Sequence, residues 1–377
     1  MTLYRTPKIL PVEEECLEKI RVIWQQLRFA LRDKPHRWAG FLRRSALARG
    51  IRGSNSIEGY LVSDDDAMAA VELEEPFGSE DVNWSAITGY RDAMTYVLRI
   101  GDDPHASVDA SLVRSLHFMM LRYDLEKGPG AWRAGPVFVR DEENRRTLYT
   151  APDAEMVPDL MEELVSWIRD ESDATSSLIR AAMAHLNLVM IHPFRDGNGR
   201  MGRCLQTLIL ARKGVYDPIF CSVEEHLGSN TRAYYKVLAE VGQGQWNPAG
   251  DARPWVRFML DAHYKQAGTF RRRMNETGAV WSEVEALLQG KGLPERATAP
   301  LVEAAFGHRI RNQRYRKHAD VTSNLASRDL RDLVKAGLLI AHGERRGRWY
   351  ERSPALLEIR DAHRDKKPIE DLFAGAE

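Results

Sequence analysis

Apolar residues recur every three or four positions along most of the chain, which is the spacing of one face of an amphipathic helix. Strand-like alternation is rare before residue 300. The spacing therefore predicts a mainly α-helical protein. It is clearest in four sets: Leu17, Ile20, Trp24, Leu27 and Leu31; Leu160, Leu164, Trp167 and Ile168; Ile179, Met183, Leu186 and Met190; and Leu205, Leu208 and Ile209.

Residues 136–150 depart from this pattern. An alternating run from Pro136 to Arg140 is followed by a charged stretch from Asp141 to Arg146, and then by Thr147, Leu148 and Tyr149. Two short alternating runs around a polar turn predict a β-hairpin. We therefore expect a hairpin inside a helical protein.

The character of the chain changes after residues 289–300, whose glycines and prolines predict a linker or turn. Residues 301–352 hold twelve Lys and Arg against six Asp and Glu, a local net charge of +6. We predict an N-terminal helical region over 1–110, a core over 111–265, a helical connector over 266–300 and a separate domain over 301–377.

Composition narrows the class of protein. The 377 residues include 54 basic and 54 acidic side chains, which excludes a uniformly basic nucleic-acid-binding surface. No apolar run is long enough to span a membrane, and the N-terminus lacks the apolar core of a signal peptide. Three cysteines without a CxxC pair predict reduced thiols, with neither disulfides nor a zinc site. We expect a soluble cytoplasmic protein of two or three domains with no membrane partner.

One strongly acidic segment stands out. Residues 64–81 contain eight acidic side chains and no basic one. Such a run is most often a solvated helix face and loop, which is the prediction here, and a docking surface is the alternative.

The densest chemistry lies at residues 192–203, His-Pro-Phe-Arg-Asp-Gly-Asn-Gly-Arg-Met-Gly-Arg, between apolar helices predicted over 178–191 and 204–211. The Gly-Asn-Gly turn permits unusual backbone angles and leaves helix N–H groups free for an anion. Arg200 and Arg203, three residues apart, suit phosphate oxygens. Asp196 suits Mg²⁺ beside phosphates, and His192 suits general-base work near neutral pH.

This string resembles the Fic motif, HPFx(D/E)GNGRxxR, at every defined position, and the resemblance covers roughly residues 50–265. Fic proteins typically transfer AMP from ATP to a hydroxyl of a target protein, on a helical core with a β-hairpin flap. The resemblance implies a mainly α fold with such a bundle and flap. It also implies a protein adenylyltransferase with ATP as substrate, Mg²⁺ as cofactor and, as partner, a protein with a Ser, Thr or Tyr hydroxyl.

The resemblance assigns a role to each residue of the motif. His192 would be the general base, Asp196 the Mg²⁺ ligand, and Phe194 a core anchor for the loop. Phosphate binding would fall to the backbone N–H groups of Gly197, Asn198 and Gly199 and to the side chains of Arg200 and Arg203.

A second match lies upstream, where residues 54–59 read Ser-Asn-Ser-Ile-Glu-Gly. They resemble the inhibitory pattern of the family, (S/T)xxxE(G/N). The resemblance implies that Ser54, Glu58 and Gly59 form an inhibitory element whose glutamate binds Arg203 in place of a phosphate. The chain would then belong to the class with an N-terminal inhibitory helix.

Two further segments fit the family. The hairpin would be a flap that aligns the backbone of a target by strand addition. A segment after residue 229 lies where the family places contacts to adenine, although aromatic residues at this spacing are equally typical of a core. The flap residues are Val137, Phe138 and Val139, and the adenine-side residues are Asn230, Tyr234 and Tyr235.

Residues 311–352 predict a winged helix. A cap at 321–324 is followed by a helix that ends at Gly337, a strand from Leu338, and a basic wing before Trp349. Outward-facing arginines on a helix beside a basic wing are typical of a DNA-binding domain. Contact with a protein, or dimerisation, is the alternative. The arginines are Arg328 and Arg331 on the helix and Arg345, Arg346 and Arg348 in the wing.

Two alternatives to forward transfer stay open. In some Fic proteins the inhibitory glutamate positions water and the enzyme removes AMP, which would make Glu58 catalytic, alone or in a bifunctional enzyme. The other alternative is a DNA-binding regulator whose Fic core senses nucleotide. The sequence fixes neither the target nor the oligomeric state, and self-modification and a homodimer are both compatible with it.

Overall fold

The computed structural model describes residues 2–32, 36–140, 147–170, 172, 175–212, 222–344 and 347–373. Most of these residues are helical, which confirms the mainly α prediction. The helices are α1 (Pro11–Arg32), α2 (His36–Ile57), α3 (Asp64–Glu72), α4 (Asp81–Ile100), α5 (Ala110–Leu121), α6 (Val157–Arg169), α7 (Ser177–Ile191), α8 (Asn198–Arg212), α9 (Glu224–Ser229), α10 (Thr231–Gly242), α11 (Arg253–Gly290), α12 (Thr298–Ala305), α13 (Asn312–Ala319), α14 (Ser323–Lys335) and α15 (Pro354–Ala362). The strands are β1 (Phe138–Arg140), β2 (Thr147–Thr150), β3 (Ile310–Arg311), β4 (Leu339–His342) and β5 (Trp349–Arg352).

The centre of the core is the pair α7 and α8, which pack against each other. Residues 178–188 of α7 are all buried, and so are residues 200–211 of α8. α4 and α5 contact α8, whereas the long α11 contacts α7 and is itself covered by α1. The indole N–H of Trp255 on α11 donates to the carbonyl of Ala182 at 2.8 Å. Close packing therefore fixes the two helices that flank the 192–203 loop. No described helix is both long and apolar enough to cross a bilayer.

The predicted boundaries near the loop differ from the observed ones at one point. α7 ends at Ile191 as predicted, but α8 begins at Asn198 instead of residue 204. Arg200 and Arg203 therefore lie in its first two turns.

The hairpin is present, with β1 antiparallel to β2, and its predicted turn, residues 141–146, lies outside the described residues. α11 runs without a break across residue 265 and ends at Gly290, where a turn follows.

Residues 298–362, here called the C-terminal unit, contain α12 to α15 and a three-stranded antiparallel sheet in the order β3-β5-β4. The side chain of Thr322 caps α14 by accepting a backbone N–H at 3.4 Å. Gly337, with φ +73°, turns the chain from α14 towards β4. The predicted helix, turn and strand are thus present. Arg348 is exposed, and Arg345 and Arg346 lie outside the described residues.

Part of the acidic segment 64–81 is covered by basic side chains of the C-terminal unit, whereas Asp64, Glu75, Glu80 and Asp81 are exposed. Arg314 and Glu74 form a buried bidentate ion pair, with Nη2 2.8 Å from Oε2 and Nε 3.1 Å from Oε1. Arg309 Nε lies 3.2 Å from a carboxylate oxygen of Asp65. The guanidinium of Arg311 donates to two backbone carbonyls of the same segment. The prediction of a solvated face is therefore wrong for these residues, because they pair with side chains of the C-terminal unit.

A buried ion network extends this interface to α2. His318 and Arg44 each contact both Glu72 and Glu303 at 2.6–3.0 Å, and Lys317 contacts Glu72 at 2.8 Å. Burial favours the neutral imidazole, but the two carboxylates outweigh it and raise the pKa of His318. Since Arg44 and Lys317 already neutralise both carboxylates, the network joins α2, α3, α12 and α13 and does not have the character of a metal site.

Candidate functional site

The loop between α7 and α8 is held in shape by its own contacts. His192 follows α7 in the left-handed conformation, φ +52°, and turns the chain out of the helix. Phe194 is fully buried. Asn198 Oδ1 accepts the N–H of Phe194, and its Nδ2 donates to the carbonyl of Phe194, both at 2.9 Å. The loop is therefore formed before any ligand arrives.

Arg133, which precedes the hairpin, ties the loop to the flap. Its buried guanidinium donates from Nε to the His192 carbonyl at 2.8 Å and from Nη1 to the Gly135 carbonyl at 2.9 Å. Nη2 donates to the carbonyls of Pro152 and Ile191. A cation here satisfies carbonyls at the C-terminal end of α7 and at both sides of the flap.

His117 on α5 supports the loop from below. Its ring stacks on Phe194, with centroids 3.6 Å apart. Nδ1 accepts the N–H of Gly130 at 2.9 Å, so Nε2 carries the proton and donates to the Asp196 carbonyl at 2.9 Å. Burial lowers the pKa of His117 to about 4. A neutral His117 therefore makes both hydrogen bonds at physiological pH.

His192 is positioned as a neutral base. Its Nδ1 lies 3.1 Å from the carbonyl of Val189, which can only accept a hydrogen bond, so Nδ1 carries the proton. The lone pair of Nε2 is then free to accept another. Burial lowers the pKa of His192 below its ordinary value of 6.5. The imidazole is therefore unprotonated at neutral pH.

The first turn of α8 offers backbone donors to an anion. The first intrahelical bond runs from the N–H of Met201 to the carbonyl of Gly197, at 2.9 Å, so the N–H groups of Asn198 and Gly199 precede it. Gly197, predicted with them, differs. Its N–H donates to Oδ1 of Asp196 at 2.6 Å, and it turns the chain with φ +76°.

Arg203 is buried and bound by the upstream motif. Its Nε donates to Ser54 Oγ at 2.7 Å, and its Nη2 donates to the Ser54 carbonyl at 3.0 Å and to Glu58 Oε1 at 2.7 Å. Burial by itself lowers the pKa of Arg203, but the charge of Glu58 outweighs burial and raises that pKa above its ordinary value. Gly59, φ +82°, ends this turn, and a Cβ on Gly199 would collide with the Glu58 carboxylate. The glutamate thus lies directly over the start of α8.

Arg200 has the environment of an anion receptor. Its side chain is fully buried, and none of its guanidinium nitrogens makes a well-formed hydrogen bond to a described residue. Nη2 lies 3.9 Å from Asp196 Oδ2, and the ring of Tyr60 covers the guanidinium, its centroid 5.0 Å from Cζ. Buried polar groups without partners are rare in proteins, so an incoming anion is the natural partner.

Asp196 presents an ionised carboxylate beside this receptor. Burial favours its protonated form, but hydrogen bonding to Lys127 and the charge of Arg200 lower its pKa. Lys127 Nζ lies 2.8 Å from Asp196 Oδ2 and 2.7 Å from the Tyr60 hydroxyl. A partly exposed carboxylate supplies the oxygen donors that Mg²⁺ prefers.

The flap is a two-stranded antiparallel hairpin. Phe138 lies opposite Thr150 and Val139 opposite Tyr149, whereas Val137 precedes β1. Among the described strands β1 pairs with β2 alone, and the far side of β2 contacts residues 244–246.

The predicted adenine-side residues differ in how exposed they are. Tyr234 belongs to the core in this structure, because it is 1% exposed and its hydroxyl lies 3.0 Å from Nε2 of His185. Tyr235 is 46% exposed, and its hydroxyl donates to the Ile57 carbonyl at 3.3 Å. Asn230 is exposed and donates to a carbonyl of its own turn. Of the two tyrosines, only Tyr235 has an exposed side chain.

Four residues build the site without belonging to either motif: Tyr60, His117, Lys127 and Arg133. Their partners in the site are distant in the chain, from 59 positions between Arg133 and His192 to 140 between Tyr60 and Arg200. Only Arg133 carries a sequence signal, because it directly precedes the hairpin.

Comparison with known proteins agrees with this geometry. Residues 107–210 match the model of the Fic/DOC family. The chain is 40% identical over 112 residues to protein adenylyltransferase fic-1 of Caenorhabditis elegans, over 29% of this chain and 20% of that protein. It is 27% identical over 260 residues to protein adenylyltransferase Fic of Nematostella vectensis, over 67% and 55%. The chain thus spans between a fifth and about half of these relatives.

Solved structures share the fold. A Fic family protein from Desulfovibrio desulfuricans G20 superposes with a TM-score of 0.58 at 22% identity, over 93% of this chain and 98% of that one. A Fic domain containing signaling protein from Bacteroides thetaiotaomicron gives 0.56 at 19% identity, over 70% and 97%. The shared fold therefore extends well beyond residues 107–210.

Proposed function

Because residues 107–210 form a Fic/DOC domain, we propose that this chain is a protein adenylyltransferase, which moves AMP from ATP to a Ser, Thr or Tyr hydroxyl of a target protein. One observation carries the proposal. A neutral histidine, a helix N-terminus and the buried side chains of Arg200 and Arg203 converge on one preformed loop. The relatives named protein adenylyltransferase support the reaction type.

The loop supplies each group that this transfer needs. Nε2 of His192 takes the proton of the target hydroxyl, whose oxygen attacks the α-phosphorus of ATP. The new oxygen–phosphorus bond forms as the bond to the bridging oxygen breaks, and pyrophosphate leaves. Positioning and charge neutralisation dominate such reactions. The phosphate oxygens would receive hydrogen bonds from the N–H groups of Asn198 and Gly199 and from the two guanidinium groups, which also neutralise part of the phosphate charge.

Two further components complete the proposal. Asp196 would hold Mg²⁺, which supplies neutralisation of phosphate charge when bound. The hairpin would act as the flap that aligns an extended segment of the target, so that its hydroxyl is presented to His192. Self-modification uses the same chemistry with a hydroxyl of this chain.

We also propose that Glu58 inhibits the enzyme. Its carboxylate lies 2.7 Å from Arg203 Nη2, at the position where a phosphate oxygen would bind that guanidinium. Two anions compete for one buried cation, so ATP binds productively only after Glu58 leaves.

Labelled ATP tests the reaction directly. The Glu58→Gly variant with Mg²⁺ is expected to incorporate α-phosphate label into protein about ten- to a hundredfold faster than wild type, the range of an ordinary coupling energy. Label on the γ-phosphate should not be retained, because it leaves in pyrophosphate. Self-modification of the chain counts as incorporation. Where the chain does not modify itself, cell lysate is added to supply target proteins.

Other outcomes point to the alternatives. Retention of γ-label would indicate phosphoryl transfer and contradict the proposal. Removal of AMP from a modified target by wild type, lost in Glu58→Gly, would assign Glu58 to the reverse reaction. Binding of ATP without any incorporation in lysate would favour a nucleotide sensor.

We propose nucleic-acid binding as a second function, located in the C-terminal unit. Arg328 and Arg331 are exposed on α14, and Arg348 is exposed near β5. Part of the basic surplus of this unit is neutralised by the acidic segment, but these three residues are not among those that contact it. A helix with exposed arginines, near a further exposed arginine beside β5, matches the footprint of a DNA-binding domain.

Fluorescence anisotropy with a random DNA duplex tests this second function. The Arg328→Ala/Arg331→Ala variant is expected to bind more weakly, and the slope of log affinity against log salt should fall by about one for each phosphate that an arginine no longer neutralises. Arg99→Ala, an exposed arginine on α4, is the matched control. If wild type and both variants bind DNA equally, or if none of them binds it, the second function is contradicted. A protein partner is then the alternative for this face.

A further inference from the structure

We infer that Lys127 and Tyr60 form a second lock on the site, in which the Lys127 ammonium occupies Asp196 in place of a divalent cation. The inference rests on the proposed function and concerns how the same site is kept closed. Lys127 acts here as a positioning residue.

The contacts of Lys127 are those of a bound cation. Its Nζ lies 2.8 Å from Asp196 Oδ2, 2.7 Å from the Tyr60 hydroxyl and 3.9 Å from Asp124 Oδ2. The other carboxylate oxygen of Asp196 accepts the N–H of Gly197. Both oxygens of the carboxylate are therefore engaged within the protein.

Tyr60 connects this contact to the inhibitory segment. It lies two residues beyond Glu58, and its N–H donates to the Asn55 carbonyl at 3.1 Å, which keeps residues 55–60 in one turn. Its ring covers the guanidinium of Arg200. Glu58 over Arg203, Tyr60 over Arg200 and Lys127 on Asp196 thus cover three ligand-facing groups together.

This arrangement links cation binding to opening of the segment. A divalent cation at Asp196 must displace Lys127, because two cations cannot share one oxygen at 2.8 Å without strong repulsion. Displacement also breaks the bond from Lys127 to Tyr60 and releases one support of residues 54–60. By linkage, anything that loosens that segment favours the cation to the same degree.

Mn²⁺ binding tests the lock without requiring transfer. Free Mn²⁺ is measured by electron paramagnetic resonance at a fixed concentration of a non-hydrolysable ATP analogue, in the Glu58→Gly background. Lys127→Met keeps most of the length of the lysine side chain but removes its charge. This variant is expected to bind Mn²⁺ roughly five- to tenfold more tightly. Lys127→Arg retains the charge and should bind as the background does. Unchanged or weaker binding by Lys127→Met would overturn the inference.

Amide hydrogen exchange in ligand-free protein with Glu58 intact tests the connection to the segment. Tyr60→Phe keeps the ring over Arg200 and loses only the hydroxyl, with its hydrogen bonds to Lys127 and Tyr123, so residues 54–60 should exchange several-fold faster. Unchanged exchange would contradict the role of Tyr60. Neither readout depends on AMP transfer, so a failure of the proposed enzyme activity and a failure of the lock are separately visible.

Discussion

Replacing His192 with alanine in the Glu58→Gly background is expected to lower the rate of AMP transfer by about 10²–10⁴-fold, the contribution of a positioned general base. The hydrogen bond from Nδ1 to the Val189 carbonyl leaves Nε2 as the acceptor, so the variant loses the proton acceptor. Binding of ATP should change little, because the proposed phosphate contacts are with Arg200, Arg203 and the start of α8 and do not involve His192. Single-turnover rates and nucleotide affinity, measured on the same samples, separate the two effects.

His105→Ala is the control for this variant, since His105 is exposed and lies on another loop. Its rate should equal that of the background. The pH dependence gives a second check. Protonation removes the lone pair of His192, and burial lowers its pKa below the ordinary 6.5. The rate should therefore stay level between neutral pH and pH 6.5, and it should fall only when the pH is lowered below 6.5. A half-maximal rate above that value, or a His192→Ala variant as fast as the background, would contradict the assignment.

Replacing Arg314 with leucine is expected to destabilise the protein by about 3–5 kcal/mol, because it leaves the buried charge of Glu74 without a partner. The two side chains are 0% and 3% exposed and form two hydrogen bonds across the interface between the C-terminal unit and the acidic segment. Glu74→Leu should cost a similar amount. The double variant should lose much less than the sum, since neither charge is then left alone. Equilibrium urea denaturation of all four proteins yields the coupling energy.

The exposed pair Lys335 and Asp332 provides the comparison. Its atoms lie 3.9 Å apart and the side chains are 78% and 44% exposed. Lys335→Leu is expected to change stability by less than about 1 kcal/mol. If Arg314→Leu were no more destabilising than this control, the ion pair would not hold the C-terminal unit in place.

Much of the candidate site could be read from the sequence, because residues 192–203 are contiguous and carry their chemistry in one loop and the start of one helix. The same holds for residues 54–59, whose glutamate lies on Arg203 in the structure. Details that depend on local geometry were less accessible. The N–H of Gly197 donates to its neighbour Asp196, and α8 begins six residues before the predicted start.

Helical periodicity also determined the fold class, since each amphipathic helix records its own buried face in its spacing. It does not record which other element covers that face. The tertiary structure alone decided that Arg133 joins the loop to the flap, that His117 stacks on Phe194 and that Lys127 meets Asp196.

The acidic segment shows the same division between sequence and structure. The sequence displayed two runs of opposite charge, residues 64–81 and 301–352, each of which is usual on a solvated surface. Only the packing of α12 and α13 against α2 and α3 brought them together, with Arg314 and Glu74 buried between them. The physical reason is common to all these cases: side chains far apart in the chain become neighbours through burial of the whole core, which no local pattern encodes.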